Sequence, residues 1–355
     1  MAKPTPLTIG IPYRDEGQSF SLLAGGLMYA IQELPPDVPR ELIFCVNGSR
    51  AGFAEDLERL LGEAGLDQHN ARVITSSEGK LAAQRAIEQK RALKGYVAFV
   101  DSDVVLEKNV LRLLWDALES DEHCMIAYGQ PVPVFPEKLN ILHQIMRAHY
   151  ALRERAYHRA YFHGRAFMLR EWFFDNPDAP ARVTAAVSNR LRLDRGPLVD
   201  DIAMSRMAVA RWGEYAIREV QEANVYFDPP DDLHGLYAGA LRVALEIHRL
   251  DILYPQHAHL QKNLFRNSKK KHGLKRFSWR IRSMHSAHLA LDTVIKVAAQ
   301  IHVHLVRHGF LKIDALWIRV PGTKSFARHR LSWKRFRVGS SKRPRTPASS
   351  GQKPD

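Results

Sequence analysis

Two pairs of carboxylates stand where this chain could do chemistry. Asp101-Ser102-Asp103 follows the apolar run Tyr96-Val97-Ala98-Phe99-Val100, and Asp200-Asp201 follows Leu198-Val199. Acids one residue apart where a buried strand emerges suit a hard divalent cation that keeps some water and takes its other oxygens from substrate phosphates. They also suit a turn that caps the next helix, since Asp favours turns and helix starts. The second pair heads a helical stretch, where the helix dipole favours negative charge and capping accounts for one of the two acids.

The surrounding elements place the first pair in a crevice. Leu7-Thr8-Ile9-Gly10-Ile11, Leu42-Ile43-Phe44-Cys45-Val46, Arg72-Val73-Ile74-Thr75 and residues 96–100 read as strands. Helical stretches between them run over 21–34, 52–64 and 81–93. This alternation predicts a doubly wound, mostly parallel α/β sheet covered on both faces, and such sheets bind ligands outside the carboxyl ends of their strands. The loops Ile11-Pro12-Tyr13-Arg14-Asp15-Glu16-Gly17 and Val46-Asn47-Gly48-Ser49 open on the same edge as Asp101. Further along, helices are expected over 109–120, 139–161, 200–212 and 233–253, with a strand over 125–129, a strand-like Gly164–Leu169 segment, a loop over 176–196 and two short strands within 215–228.

At 355 residues, 45% hydrophobic and 25% charged, the chain has an ordinary globular composition. Its net charge of +14 is unevenly placed: residues 261–355 hold 23 Lys+Arg against 3 Asp+Glu, leaving 29 against 35 in residues 1–260. A basic C-terminal quarter suggests an anionic partner surface, a membrane face or nucleic acid. No helix-turn-helix or zinc-finger pattern accompanies the charge, so no specific nucleic acid is expected. Cys45 and Cys124 are too few and too far apart for a disulfide framework or a zinc site. No signal-peptide core is seen, and no spanning helix is expected, because no long window is free of charge. Apolar residues at helical spacing from Ala287 to Leu305, bracketed by basic groups and by Trp279, Trp317 and Trp333, describe an amphipathic helix able to lie in a headgroup layer. The paired histidines 257/259, 302/304 and 304/308 lack a third ligand and read as solvated or core residues.

The ordered segments Ile-Pro-Tyr-Arg-Asp-Glu, Val-Asn-Gly-Ser, Gly79-Lys80 with Arg85 and Phe-Val-Asp-Ser-Asp-Val resemble the nucleotide-sugar half of family 2 glycosyltransferases of the GT-A fold. Gly164–Glu171 looks like that family's acceptor-side glycine strand, and Asp200-Asp201-Ile202-Ala203-Met204 like its Glu-Asp catalytic motif. The resemblance covers about residues 7–230. It implies a GT-A sheet with a nucleotide-sugar half and an acceptor half, Mg²⁺ or Mn²⁺ on Asp101 and Asp103, and a donor site including Pro12, Tyr13, Asp15, Glu16, Asn47, Lys80, Arg85, Asp101 and Ser102. It also makes Asp201 or Asp200 the base that deprotonates an acceptor hydroxyl during inverting transfer. Three departures matter. Val46-Asn47 replaces the acids that usually read uracil, Asp200 replaces Glu, and Arg206 sits one position early. The Gln/Arg-x-x-Arg-Trp motif of the processive members is missing after residue 212, which implies transfer of one sugar.

The expectation is therefore a catalytic domain over 1–230, a basic helical extension with membrane-surface contact over 231–338, and a disordered tail over 339–355. The expected activity moves one sugar from a nucleotide-sugar donor to a lipid-linked or cell-surface glycan acceptor, with the protein cytoplasmic and peripheral at the inner face of the cell membrane. Two alternatives remain at this point. The Asp101–Val105 segment also resembles the nucleophile loop of haloacid-dehalogenase-type phosphatases, with Asp200-Asp201 as their acidic loop. A basic RNA- or membrane-binding module on a decayed fold is the other.

Overall fold

The computed structural model describes residues 3–14, 20–48, 52–77, 79–153, 161–174, 183–260 and 278–312. Strands β1 (Leu7–Tyr13), β2 (Arg40–Asn47), β3 (Ala71–Ser76) and β4 (Tyr96–Val100) alternate with helices α1 (Phe20–Gln32), α2 (Phe53–Glu63) and α3 (Lys80–Lys90). They are followed by β5 (Val104–Leu106), α4 (Val110–Glu119), β6 (Ile126–Pro133), α5 (Ile141–Arg153), β7 (Ala166–Leu169), α6 (Ala185–Leu191), α7 (Asp200–Trp212), β8 (Ile217–Phe227), α8 (Leu233–Leu253) and α9 (Trp279–Arg307). The eight strands form one sheet in the order β3-β2-β1-β4-β7-β6-β8-β5.

The first four strands pair in parallel, with β1, β2 and β4 buried along almost their whole length as interior parallel strands are. The sheet is mixed beyond β4, because β7 runs antiparallel to both β4 and β6. This reversal positions the site: the register Val100↔Ala166 sets the start of β7 beside the end of β4, and the Asp101 amide donates to the Arg165 carbonyl at 2.8 Å. The acid pair thereby meets the Gly164 loop directly.

Alternate residues of each interior strand feed two cores. Leu42, Phe44, Ala98 and Val100 pack with α1, α2 and α4, while Ile43, Cys45, Val97 and Phe99 pack with α3, α7, α8 and α9. Two glycines permit close approach. A Cβ on Gly10 would lie 2.9 Å from Ile87 and 3.1 Å from Phe99, so its absence seats α3 on the sheet. A Cβ on Gly129 would come within 2.7 Å of the Ala223 carbonyl oxygen, where β6 shifts register against β8.

Several elements differ from expectation. The loop over 176–196 contains α6, which lacks a strong apolar stripe in sequence. Three-residue β5 is too short to show a period, and β8 is one strand with an irregular register rather than two. Within the expected helix over 139–161, α5 covers 141–153, and residues 154–160 lie outside the described residues, as do the basic runs 269–276 and 313–355.

Where the sequence leads to no spanning helix, α9 is long and apolar enough to cross a membrane by length and composition alone, with 17% of its apolar window buried. The charges Asp292 and Lys296 that break the run in sequence are an i,i+4 ion pair at 2.7 Å. One face of α9 docks on α8 through Ala299, Val303 and Val306, with His302 Nδ1 2.9 Å from the Tyr237 hydroxyl, and on α5 through the rings of His285 and His288 against His149. Leu289, Val294, Val297 and Ile301 are exposed on it.

Helix α8 supports the segment that leads to Asp200. Its fully buried pair Arg249–Glu246 (2.7 Å) holds that segment by backbone contacts: Arg249 donates to the carbonyls of Leu191 (2.9 Å) and Arg192 (3.0 Å), and Glu246 accepts from the Leu198 amide at 2.9 Å. Burial pushes the Glu246 carboxyl up in pKa, against the pull of Arg249. Removing Arg249 would strand a buried carboxylate, so Arg249→Met is expected to cost about 3–5 kcal/mol, read from the urea midpoint.

Candidate active site

The acid pairs that are 99 residues apart in sequence meet around one amine. Lys80, the first residue of α3, follows Gly79 at φ +124°, a conformation that favours glycine and turns the chain from β3 into the helix. Its Nζ lies 2.6 Å from Asp101 Oδ1 and 3.0 Å from Asp200 Oδ2, and it donates to the Gly164 carbonyl at 2.9 Å. One helix turn later on the same face, Gln84 donates from Nε2 to Asp200 Oδ2 at 2.7 Å. Asp200 is thus 4% exposed and held by two donors from α3.

Asp201 is differently placed. Its Oδ2 accepts from the Tyr161 hydroxyl at 2.8 Å and from the Gly164 amide at 3.4 Å, and its Oδ1 accepts from the Ile202 amide at 2.8 Å. It lines the cleft and is only partly buried. Burial and the neighbouring Asp200 push its pKa up, opposed by Lys80, the Tyr161 hydrogen bond and Arg242. A carboxylate with raised basicity is a capable proton acceptor, and Asp201 is also the more open of the two acids, since Asp200 is buried under Lys80 and Gln84.

Asp101 is raised by burial and by Asp103 and Asp200, against the pull of Lys80. Burial works against the charged form of Lys80, but Asp101, Asp200 and Asp201 outweigh it and the amine is held charged. One lysine neutralises one of four carboxylates. Among the described residues no cluster of three or more His, Cys, Asp or Glu side chains is arranged to hold a metal by itself. The hard-oxygen set Asp101 and Asp103 nevertheless fits a Mg²⁺-like ion of the kind bound by one or two carboxylates plus substrate phosphates.

These residues line one cleft of about 1740 Å³. Pro12, Asn47, Lys80, Arg85, Asp101, Ser102, Asp103, Asp200 and Asp201, all expected from sequence, line it. Arg85 brings a buried Nη2 with no hydrogen-bond partner among the described residues. Tyr13 does not join them. It is 1% exposed and sits in the core, stacked on Phe53 with ring centroids 5.8 Å apart, because the alternation of β1 points Tyr13 away from the crevice. Asp15 and Glu16 lie outside the described residues. Sequence reasoning missed Gln84, Tyr161 and Arg242. Gln84 could have been found from its i+4 spacing to Lys80, whereas the other two depend on tertiary contacts. A side chain at Gly164 would crowd the acids: a Cβ would lie 3.2 Å from Asp200 Oδ2, Asp201 Cβ and Lys80 Nζ.

A mixed sheet with carboxylates at the end of β4 and the head of α7 defines a GT-A-type fold. Residues 26–176 match the family model described as Glycosyl transferase family 2, and this chain carries a glycosyltransferase segment of that family. The match removes the phosphatase alternative, whose nucleophile would follow the first strand rather than the fourth. No curated protein matches the chain. Among solved structures it is similar to Mycobacterium tuberculosis glucosyl-3-phosphoglycerate synthase in complex with Mn²⁺, UDP-glucose and phosphoglyceric acid, at 18% identity and TM-score 0.44 over 70% of this chain and 80% of that one. A structure described as a mycobacterial protein gives 18% identity and TM-score 0.45 over 70% and 76%.

Lys80→Met would leave Asp101, Asp200 and Asp201 facing one another without their amine. At pH 7 it is expected to lower stability by about 3 kcal/mol, the scale of a broken buried ion pair. Removing the amine raises Asp101, already held at about 7, and Asp201 further, so protonation restores what the lysine supplied. The stability gap to the unmutated protein, followed by thermal melting, therefore narrows as pH falls from the alkaline side towards 7.

Proposed function

We propose that this protein is an inverting, metal-dependent glycosyltransferase that moves one sugar from a nucleotide-sugar to a hydroxyl of a lipid-linked or cell-surface glycan acceptor. The observation that carries the reading is the convergence of Asp101, Asp103 and Asp201 in one cleft, brought together by Lys80 and Gly164. In the reaction proposed, the acceptor oxygen bonds to the anomeric carbon on the face opposite the diphosphate. The bond from that carbon to the phosphate oxygen breaks, and the nucleoside diphosphate leaves with the electron pair. Asp201 takes the hydroxyl proton, its Oδ2 held in place by Tyr161 and Gly164. A Mg²⁺ or Mn²⁺ ion on Asp101 and Asp103 would supply charge stabilisation for the departing diphosphate. Lys80 and Arg85 add fixed positive charge on the donor side, and Asn47, 7% exposed, replaces the usual acid facing the base.

The present reading rests on the family match and on the residues of this cleft. Asp201→Asn is expected to lower transfer about 10²- to 10⁴-fold with the fold intact by circular dichroism, and Asp103→Ala to abolish metal-dependent release of nucleoside diphosphate. Unchanged release in both variants would leave only the decayed binding module.

We also propose that the protein works at the cytoplasmic face of a membrane. Support comes from the exposed apolar residues Leu289, Val294, Val297 and Ile301 on α9, together with the basic surplus of residues 261–355. Because α9 is docked along α5 and α8, the orientation proposed is in the plane of the headgroups. Sedimentation with anionic vesicles should be lost in Val294→Asp/Val297→Asp and should weaken from 0.05 M to about 0.5 M salt; retention under both conditions would refute the contact.

A further inference from the structure

The inner stripe of α9 changes character along its length. Ala299, Val303 and Val306, the part docked on α8, are apolar and buried. Towards the N-terminus the same stripe carries His285 and His288, both half-buried, and it meets α5 at His149. The His288 ring lies 3.9 Å from that of His149, and the His285 ring is stacked on His149 at 5.6 Å. These imidazoles are not arranged to share a metal ion. The Nδ1 atoms of His285 and His288 are buried with no hydrogen-bond partner among the described residues, so a proton added at either would find no acceptor. Asp292, the carboxylate that acts on His288, is engaged by Lys296 at 2.7 Å. From α5 the Tyr150 ring lies 5.6 Å from His149. Helices α8 and α6 meet α9 further along, where Tyr237 pairs with His302 and Arg190 approaches Gly309.

We propose that His149, His285 and His288 form a pH-sensitive latch, which holds the N-terminal half of α9 on α5 while the imidazoles are neutral and releases it when they are protonated. Imidazolium groups this close would repel one another in a partly dry contact. Burial lowers the pKa of His285; burial lowers that of His288 too, opposed by Asp292 and reinforced by His285 and Lys296. A base that binds its proton less readily when latched than when free adds stability that is complete above its ordinary value of about 6.5 and is lost as pH falls below it. Release would uncover Ile281, Met284, Leu291 and Ile295, which share the stripe, and so add to the apolar surface α9 already exposes. The latch also fastens α9 to a wall of the cleft: Tyr150, next to His149 on α5, lines the cleft and meets Phe227 edge-on at 5.9 Å. The inference does not depend on the glycosyltransferase reading.

The test is amide hydrogen exchange of the full chain near pH 7.5 and near pH 5.5, read as protection after correction for the intrinsic pH dependence of exchange. An undocked helix end frays, so protection over residues 281–292 is expected to fall at least about tenfold at the lower pH, the factor that one extra proton on the open form supplies per pH unit. Protection over residues 299–306, docked on α8, should hold and reports that the fold is intact. His285→Leu/His288→Leu keeps a half-buried stripe without the titration and should leave residues 281–292 equally protected at both pH values. His285→Arg/His288→Arg, charged throughout, should leave them unprotected at both. Equal protection at the two pH values in the unmutated protein would remove the latch. A pH response kept in the leucine variant would place the sensor elsewhere, and an equal loss over residues 299–306 would make the change a general unfolding; each of these overturns the proposal.

Discussion

The ion pairs of Lys80 with Asp101 and Asp200 are the constraint on which the rest of the site depends. They join the end of β4, the head of α7 and the first turn of α3, three elements that no backbone ladder connects at this point. Without a cation between them, two carboxylates in a partly dry cleft repel by several kcal/mol at contact distance, even at an effective dielectric of about 20. The amine turns that repulsion into attraction and at the same time fixes the Gly164 carbonyl. Around Asp101 and Asp103 the carboxylates still outnumber the amine, and this local surplus of hard oxygens is what makes the metal assignment physically reasonable.

Rigidity behind that centre comes from α8 rather than from the sheet. The segment 191–199 that delivers Asp200 and Asp201 has little regular structure of its own. Its Leu191, Arg192 and Leu198 backbone groups are satisfied by Arg249 and Glu246. A buried ion pair is weak evidence for net stability, since well-packed apolar residues often do as well. It is strong evidence for specification, because an apolar pair could not bond those amides and carbonyls and the acids would lose their position. Placing α8 in a separate extension on the basis of sequence therefore understates its part in the site.

The parallel half of the fold was legible because its signals are local: four apolar runs, each followed by a polar strand-end loop and a helical period. The two acid pairs were legible for the same reason, since residue type and position at an element's end are both visible in one dimension. The reversal at β7 was not, because a four-residue strand carries no direction in its composition. The Tyr13 assignment failed on side-chain alternation, which sends Pro12 to the cleft and its neighbour to the Phe20/Phe44/Phe53 cluster. The roles of Tyr161 and Arg242 arise only when segments 40 or more residues apart are brought together.

Helix α9 shows why a charge count along the chain misjudged its character. In sequence, Asp292 and Lys296 interrupt an apolar run and argue against a long hydrophobic element. In the folded helix they lie one turn apart and pair, and the surface between Arg282 and His304 keeps Leu289, Val294, Val297 and Ile301 bare. A surface helix of a globular protein ordinarily turns a charged face outward and an apolar one inward. Here both faces are apolar near the middle, and among the described residues only the inward one is covered, by α5 and α8. Exposed apolar surface of that extent is uncommon on a monomer without a partner. The helix that completes the far wall of the cleft is therefore also the element whose outer face most needs one.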